Sequence, residues 1–181
     1  MVFPSTPPLG CDAPRWYLGT KLKMGKRMPS GTQSALYGLW GWDSQHLLAV
    51  GDFGLVLRYN GRDWAPFNVG TESFLYSVWG TSLDDIYTVG LSGTMAHFNG
   101  SRWQLQPTRL RDDLLSIAGT TAGSAYAVGT RGRILSLEGN QWISEPSGTD
   151  VGLRAVCASR SGAVYAVGDR GTILCSPGQA C

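Results

Sequence analysis

From residue 36 onward, apolar and polar positions alternate in short runs, each closed by glycine, asparagine or proline. Leu75-Tyr-Ser-Val-Trp-Gly80 is one such run. Asp85-Ile-Tyr-Thr-Val-Gly90, Gly93-Thr-Met-Ala-His-Phe98 and Trp103-Gln-Leu-Gln106 follow before Pro107. Alternation with period two marks strands whose side chains point to opposite faces of a sheet. The 3.6-residue spacing of an amphipathic helix appears nowhere in these runs. Asn60-Gly61 and Asn99-Gly100 predict hairpin turns, because both residue types tolerate positive φ. Gly51 and Gly54 bracket Asp52-Phe53 as a tight turn, and the same frame recurs along the chain.

The pattern repeats every 39 residues without insertion. Leu36, Leu75, Leu114 and Leu153 form one column, and Val50, Val89, Val128 and Val167 a second. Gly51, Gly90, Gly129 and Gly168 form a third, and Gly54, Gly93, Gly132 and Gly171 a fourth. Trp64, Trp103 and Trp142 make a fifth, whose last member is Cys181. Four short antiparallel strands per unit, repeated, predict the blades of a β-propeller; a solenoid of hairpins is the alternative. In a propeller both faces of each sheet are covered by neighbours. That suits a second strand apolar on both sides, such as Val164-Tyr-Ala-Val167. Gly38, Ser77, Ser116 and Ala155 suit an inner strand crowded at the axis, and the tryptophans are expected to be buried between blades.

The expected fold class is therefore all-β: a β-propeller of about 39-residue, four-stranded blades. The units start at residues 36, 75, 114 and 153. The fourth stops at Cys181, where its outermost strand would begin. Met28-Pro-Ser-Gly-Thr32 matches Glu145-Pro-Ser-Gly-Thr149 in register, 117 residues earlier, although Gly25 stands at the tryptophan position. Residues 22–30 are thus expected to complete the sheet begun by residues 153–175 and to close a four-bladed ring. A partial copy of a larger propeller is the alternative. Residues 22–181 form the propeller domain. Residues 1–21 read as an N-terminal extension or a degenerate blade remnant, with Trp16-Tyr-Leu-Gly-Thr20 echoing Tyr126-Ala-Val-Gly-Thr130.

Composition narrows the class further. Hydrophobic residues are 43% and charged residues 15% of the 181, which excludes a disordered chain and a coiled coil. The 25 glycines and 7 tryptophans fit short strands joined by tight turns. A net charge of +2 favours neither nucleic acid nor an acidic substrate. All three lysines lie in the first 35 residues with Arg15 and Arg27, against Asp12 alone, which reads as a solvated basic segment. No apolar run approaches the roughly 18 residues that span a bilayer, so no membrane span is expected.

Of the four cysteines, Cys175 and Cys181 take the positions of His97 and Trp103, which the pattern places facing each other across the third-to-fourth strand turn. A cross-strand disulfide is expected there. It implies an oxidising compartment. Cys157 stands in the column of Trp40 and Trp79 and reads as a small buried apolar residue. There is no CxxC, and neither histidine has a matched partner, so no metal and no cofactor are expected. Leu9-Gly10-Cys11 looks like the end of a lipobox, but Met1–Pro8 lacks the charged start and apolar stretch of a leader.

The repeated pattern L-x-x-V-W-G, D-I-Y-x-V-G, G-T-x-x and N-G-x-x-W is carried by Leu75, Val78, Trp79, Gly80, Ile86, Tyr87, Val89, Gly90, Gly93, Thr94, Asn99, Gly100 and Trp103. It resembles a propeller repeat common in exported bacterial proteins. It is similar to the repeats of the photosystem II assembly factor family and of neuraminidase-like (BNR-type) propellers. The resemblance covers residues 36–181. It implies a non-enzymatic binding or assembly platform with an extracellular, periplasmic or cell-surface location. The neuraminidase Asp-box is not reproduced: Gly168-Asp-Arg-Gly-Thr172 lacks its leading serine and final tryptophan.

Catalytic chemistry finds little support. Asp84-Asp85 and Asp112-Asp113 are adjacent loop pairs, expected to cap turns. His46 and His97 are read as structural. The Gly-x-x-Gly pairs precede strands rather than helices, so they are not phosphate loops. Binding is expected on the propeller face that carries the loops from second to third strands and the connections between blades. Phe53, Phe74, Arg109, Arg111, Arg131 and Arg170 gather there as candidate binding residues, since arginine beside exposed aromatics is the composition of interaction surfaces. The competing reading pairs these arginines with nearby aspartates on a solvated rim. The expected partner is a protein. Carbohydrate, bound as in the tectonin-type lectins that the Trp and Tyr columns also resemble, is the alternative, and burial of Trp64, Trp103 and Trp142 removes its best residues. Nucleic acid is not expected.

Overall fold

The computed structural model describes residues 28–120, 123–159 and 162–176. They form four antiparallel meanders in chain order. The first holds β1 (Leu36–Gly41), β2 (Leu47–Gly51), β3 (Val56–Tyr59) and β4 (Trp64–Pro66). The second holds β5 (Leu75–Ser82), β6 (Asp85–Gly90), β7 (Met95–Phe98) and β8 (Trp103–Leu105). The third holds β9 (Leu114–Gly119), β10 (Ala125–Gly129), β11 (Ile134–Glu138) and β12 (Gln141–Glu145). The fourth, among the described residues, has three strands: β13 (Leu153–Ala158), β14 (Val164–Gly168) and β15 (Ile173–Cys175).

The turns follow from their residues. Gly61 and Gly100 take φ of 91° and 86°. Asn60 Oδ1 accepts the N–H groups of Arg62 and Asp63, and Asn99 Oδ1 those of Ser101 and Arg102. Each asparagine thereby closes its hairpin through its own side chain. Gly93 and Thr94, expected in the third strand, belong instead to the turn before it, where Thr94 N–H donates to Leu91 O.

The core is not inside any sheet but between sheets. Leu48, Val50 and Val56 of the first sheet pack with Leu75, Val78 and Ile86 of the second. Tyr87, Val89 and Met95 pack with Leu114, Ile117 and Leu135, and Val128 with Leu153, Val156 and Val164. Each junction thus buries the same columns, which is why those columns repeat. The inner strands β1, β5, β9 and β13 lie side by side. A Cβ on Gly38 would sit 2.8 Å from Val50 and 2.9 Å from Tyr76 O, so the first unit has no room there for more than hydrogen. In the next units the column is serine, and its hydroxyl bridges the sheets. Ser77 Oγ accepts Ile117 N–H at 3.2 Å, and Ser116 Oγ accepts Val156 N–H at 3.2 Å.

Among the described residues the four sheets do not close into a ring. Val78, Ile117 and Val156 are 5%, 5% and 9% exposed, whereas Leu39 in the same column is 67% exposed. Val50, Val89 and Val128 are at most 1% exposed, whereas Val167 is 44% exposed. One face of the first sheet and one face of the fourth are therefore bare. Residues 28–32 do adopt the turn of residues 145–149: Ser30 Oγ donates to Thr32 O as Ser147 Oγ does to Thr149 O. They remain with the first sheet, because Ala35 is tied to Asp52 through both its N–H and its C=O. The Cβ position of Gly171 is consequently open, where Thr71 O and Thr149 O crowd Gly54 and Gly132. The described sheets form an open arc, the partial-propeller alternative. Residues 22–27 of the expected closing strand, and the extension 1–21, lie outside the described residues.

The expectation for Cys175 and Cys181 rests on the positions of His97 and Trp103 in the second sheet. Trp103 stands opposite Phe98, and His97 opposite Gln104. The His97 and Trp103 columns therefore lie on opposite faces of a sheet rather than face to face, since neighbouring strand positions alternate. Cys181 itself lies outside the described residues. Cys157 and Cys175 flank Tyr165 on neighbouring strands, and neither is a free thiol.

Candidate interaction face

One hydrogen bond repeated in all four units builds this face. The N–H of Asp52, Leu91, Thr130 and Asp169 donates to the carbonyl of Ala35, Phe74, Asp113 and Gly152 at 3.1, 2.9, 2.9 and 2.8 Å. The carbonyl comes so close that a Cβ on Gly51, Gly90, Gly129 or Gly168 would lie 2.0, 1.8, 1.8 or 2.3 Å from it. These glycines are extended, so the need is for close approach and not for unusual φ. The result places every turn between second and third strands beside the connection that enters its own sheet.

Those turns are single 3-10 turns whose middle residues are left-handed without being glycine: Phe53, Ser92, Arg131 and Arg170, at φ of 51°, 51°, 56° and 57°. The blade connections add a fifth case. Gly31, Gly70 and Gly148 hold φ of 73°, 80° and 71°, and Arg109 stands in the same column at 55°. A left-handed L-residue costs about 1–2 kcal/mol, and such residues gather at functional sites.

The structure brings Phe53 and Phe74 together, with ring centroids 5.1 Å apart and Phe53 69% exposed. Asp112 is buried and accepts from Arg133 Nε and Nη2 at 3.0 and 2.6 Å, while exposed Arg131 approaches its other oxygen at 3.5 Å. Asp113 accepts Ser92 N–H at 2.8 Å. The rim-pairing alternative thus holds for Arg131. Arg109, Arg111 and Arg170 are exposed and form no ion pair among the described residues.

Arg133 and Arg154, which the sequence reading passed over, carry the better ion pairs. Arg154 binds Asp169 through two bonds of 2.8 and 3.0 Å. Its guanidinium holds the Asp169 carboxyl below the usual range, and Arg154 itself is raised by the same bond. The available signal was departure from the repeat: Arg133 follows Leu55 and Thr94 in its column, and Arg154 follows Tyr37, Tyr76 and Leu115. Tyr37 and Tyr76 pack edge to face at 5.7 Å. Tyr37 donates to Asp52, which raises its pKa, whereas Tyr76 is raised chiefly by burial, with Asp113 adding to it.

Both histidines have carboxylate partners that the spacing did not reveal: His46 Nδ1 lies 2.9 Å from Asp43, and His97 Nε2 2.7 Å from Asp85. Asp85 also accepts from Thr81, and His97 stacks on Tyr87 with centroids 4.1 Å apart. The carboxylate here lies between the hydroxyl and the imidazole. A nucleophile triad needs the imidazole in the middle. This cluster braces the opposite end of the second sheet, where burial and Asp85 push the Tyr87 phenol up to about 12. Among the described residues no group of His, Cys, Asp and Glu is disposed to hold a metal, and no helix is long and apolar enough to cross a membrane.

The tryptophan column is half-buried rather than buried. Trp103 packs on Phe67 and Phe98, Trp142 on Tyr87 and Trp64 on Tyr59, with centroids 5.1–5.7 Å apart across these contacts. Each ring thus meets an aromatic neighbour and is only partly accessible, which does not support the lectin reading.

No family model and no curated protein matches the chain. Solved structures do match. YCF48 from Cyanidioschyzon merolae superposes with a TM-score of 0.64 at 20% identity, over 84% of this chain and 56% of that one. A structure titled YCF48 bound to D1 peptide gives 0.65 at 22% identity, over 82% and 54%. The computationally designed Ika4 protein gives 0.67 at 13% identity, over 84% and 98%. The fold is a β-propeller. The chain spans about half the length of the two YCF48 chains.

Proposed function

We propose that the chain is a non-enzymatic protein-binding scaffold that takes an acidic, partly apolar polypeptide segment on its loop face. The observation that carries this reading is the set of exposed, left-handed Phe53, Arg109, Arg131 and Arg170, held where glycine would cost less. Phe53 on Phe74 offers an apolar seat, and Arg109 and Arg111 offer charge that no carboxylate of the described residues takes up. The carboxylates of this face are engaged structurally, Asp112 by Arg133 and Asp113 by the Ser92 N–H, which favours a scaffold over an acid–base enzyme. A similar propeller described as bound to a peptide supports a polypeptide as the partner class. The reading includes export, supported by two cysteines that are not free thiols.

The test is an array of immobilised peptides that combine Asp or Glu with Leu or Phe, beside the same peptides with Lys for each acid. Acidic peptides should be retained, with retention falling as salt rises. Phe53→Ala and Arg111→Ala should each weaken retention by about tenfold, the scale of a central interface contact. Equal retention of the basic set, or indifference to both substitutions, overturns the reading.

A further inference from the structure

The two bare ends of the arc are halves of an interface the molecule already makes three times. At each internal junction, the Val50, Val89 or Val128 face of one sheet covers the Leu75, Leu114 or Leu153 face of the next. The first sheet presents the second kind of face uncovered, with Leu36, Tyr37 and Leu39 at 42%, 51% and 67% exposure. The fourth presents the first kind uncovered, with Tyr165, Val167 and Ile173 at 39%, 44% and 72%. Among their counterparts, Leu75, Leu114, Leu153, Val89 and Met95 are at most 1% exposed, and Tyr126 and Ile134 are half-buried. Contiguous apolar surface of this kind marks an interaction site.

We propose that the occupant is a second copy of this chain, docked head to tail, so that two four-sheet arcs close one ring. Three features of the fold select it. The 39-residue repeat makes the two ends complementary within one chain, so a copy supplies each face with the surface its columns evolved to meet. The turn at Ser30–Thr32 has the form of the Ser147–Thr149 turn, which crowds Gly132, and the Cβ position of Gly171 is open to receive it. The arc also superposes on 56% and 54% of longer propeller chains, so it spans about half of such a chain and leaves a gap of the order of one further arc. Contacts of this head-to-tail type form closed rings when the rotation closes. The inference does not depend on what the loop face binds.

Size-exclusion chromatography with light scattering on the full chain tests it. The expected mass is twice 19.4 kDa. Leu39→Arg and Ile173→Arg each place a charge in the junction while leaving the single arc intact, because both side chains are exposed within it; circular dichroism checks that the fold is kept. Each variant alone should give 19.4 kDa. An equal mixture restores one of the ring's two junctions, between the intact fourth-sheet face of the Leu39→Arg chain and the intact first-sheet face of the Ile173→Arg chain, so it should pair where neither variant alone does. A wild-type chain of single mass at every concentration overturns the proposal, and with it a second copy as occupant in favour of further sheets or another protein. So do a doubled mass indifferent to Leu39→Arg, a mixture that stays at single mass, and open-ended assemblies larger than two copies.

Discussion

The connection from the first sheet to the second and that from the second to the third share one backbone and differ in nearly every side chain. Phe67 N–H donates to Val56 O at 2.8 Å, and Gln106 N–H to Met95 O at 2.9 Å. Each ends on a carbonyl, of Phe74 or Asp113, that accepts from the next turn at 2.9 Å. Between these anchors the first packs through apolar side chains, and Glu72 is its one charged residue. Phe67 packs on Phe98 and Trp103, Val69 is buried, and Phe74 meets Phe53. The second is charged: Arg109, Arg111, Asp112 and Asp113. Backbone contacts carry the repeat, and side chains are left to vary where only backbone is needed, which is how a rigid scaffold comes to carry a site.

If that separation is right, the largest effects fall on backbone contacts and are alike in both regions. Gly90→Ala and Gly129→Ala each drive a Cβ to within 1.8 Å of a carbonyl oxygen. Each should lower stability by roughly 3 kcal/mol or more, as overpacking against a fixed neighbour does. Urea denaturation should show the two losses equal within error, and unequal losses would mean that the side chains of the connection help to set its path. The next effect belongs to the second connection alone. Asp112→Ala strands the partly buried Arg133 guanidinium and should cost about 2 kcal/mol. Arg131→Ala, at 79% side-chain exposure, should change the urea midpoint little.

The same separation explains what could be read from the chain beforehand. Strands, turns and glycine columns were legible because each rests on local alternation or on a contact that recurs every 39 residues. Closure was not legible. Thr32 has the right local turn, yet whether it reaches Gly171 depends on the angle accumulated over three packed junctions, which no single column encodes. The facing of His97 and Trp103 was misplaced by one residue, because the register is set by the Phe98–Trp103 pair that closes the hairpin. On the loop face, Phe53 and Phe74 were legible from the turn columns. The Asp112–Arg133 bond was not, since it joins residues 21 apart through a connection whose path only the folded backbone defines.

Smaller effects sharpen the contrast from the charged side. Arg109→Gly restores the residue type that Gly70 supplies in the first connection at φ of 80°. It should raise stability by up to about 1 kcal/mol by relieving the left-handed strain, seen as a higher urea midpoint, while acidic peptides are retained less. A gain in stability with binding unchanged would remove Arg109 from the proposed site. The smallest effect concerns Arg154 and Asp169, an exposed pair and so weakly stabilising. Because Arg154 lowers the Asp169 carboxyl in the folded state, the pair stabilises above the ordinary aspartate range, and its contribution is lost as pH falls through the lowered value. Melting temperatures of the wild type and Asp169→Asn should therefore differ slightly near neutrality and converge in acid. A difference that persists at the lowest pH, where the carboxylate is protonated, would mean that the amide disturbs the turn in its own right and that the charge is not what matters.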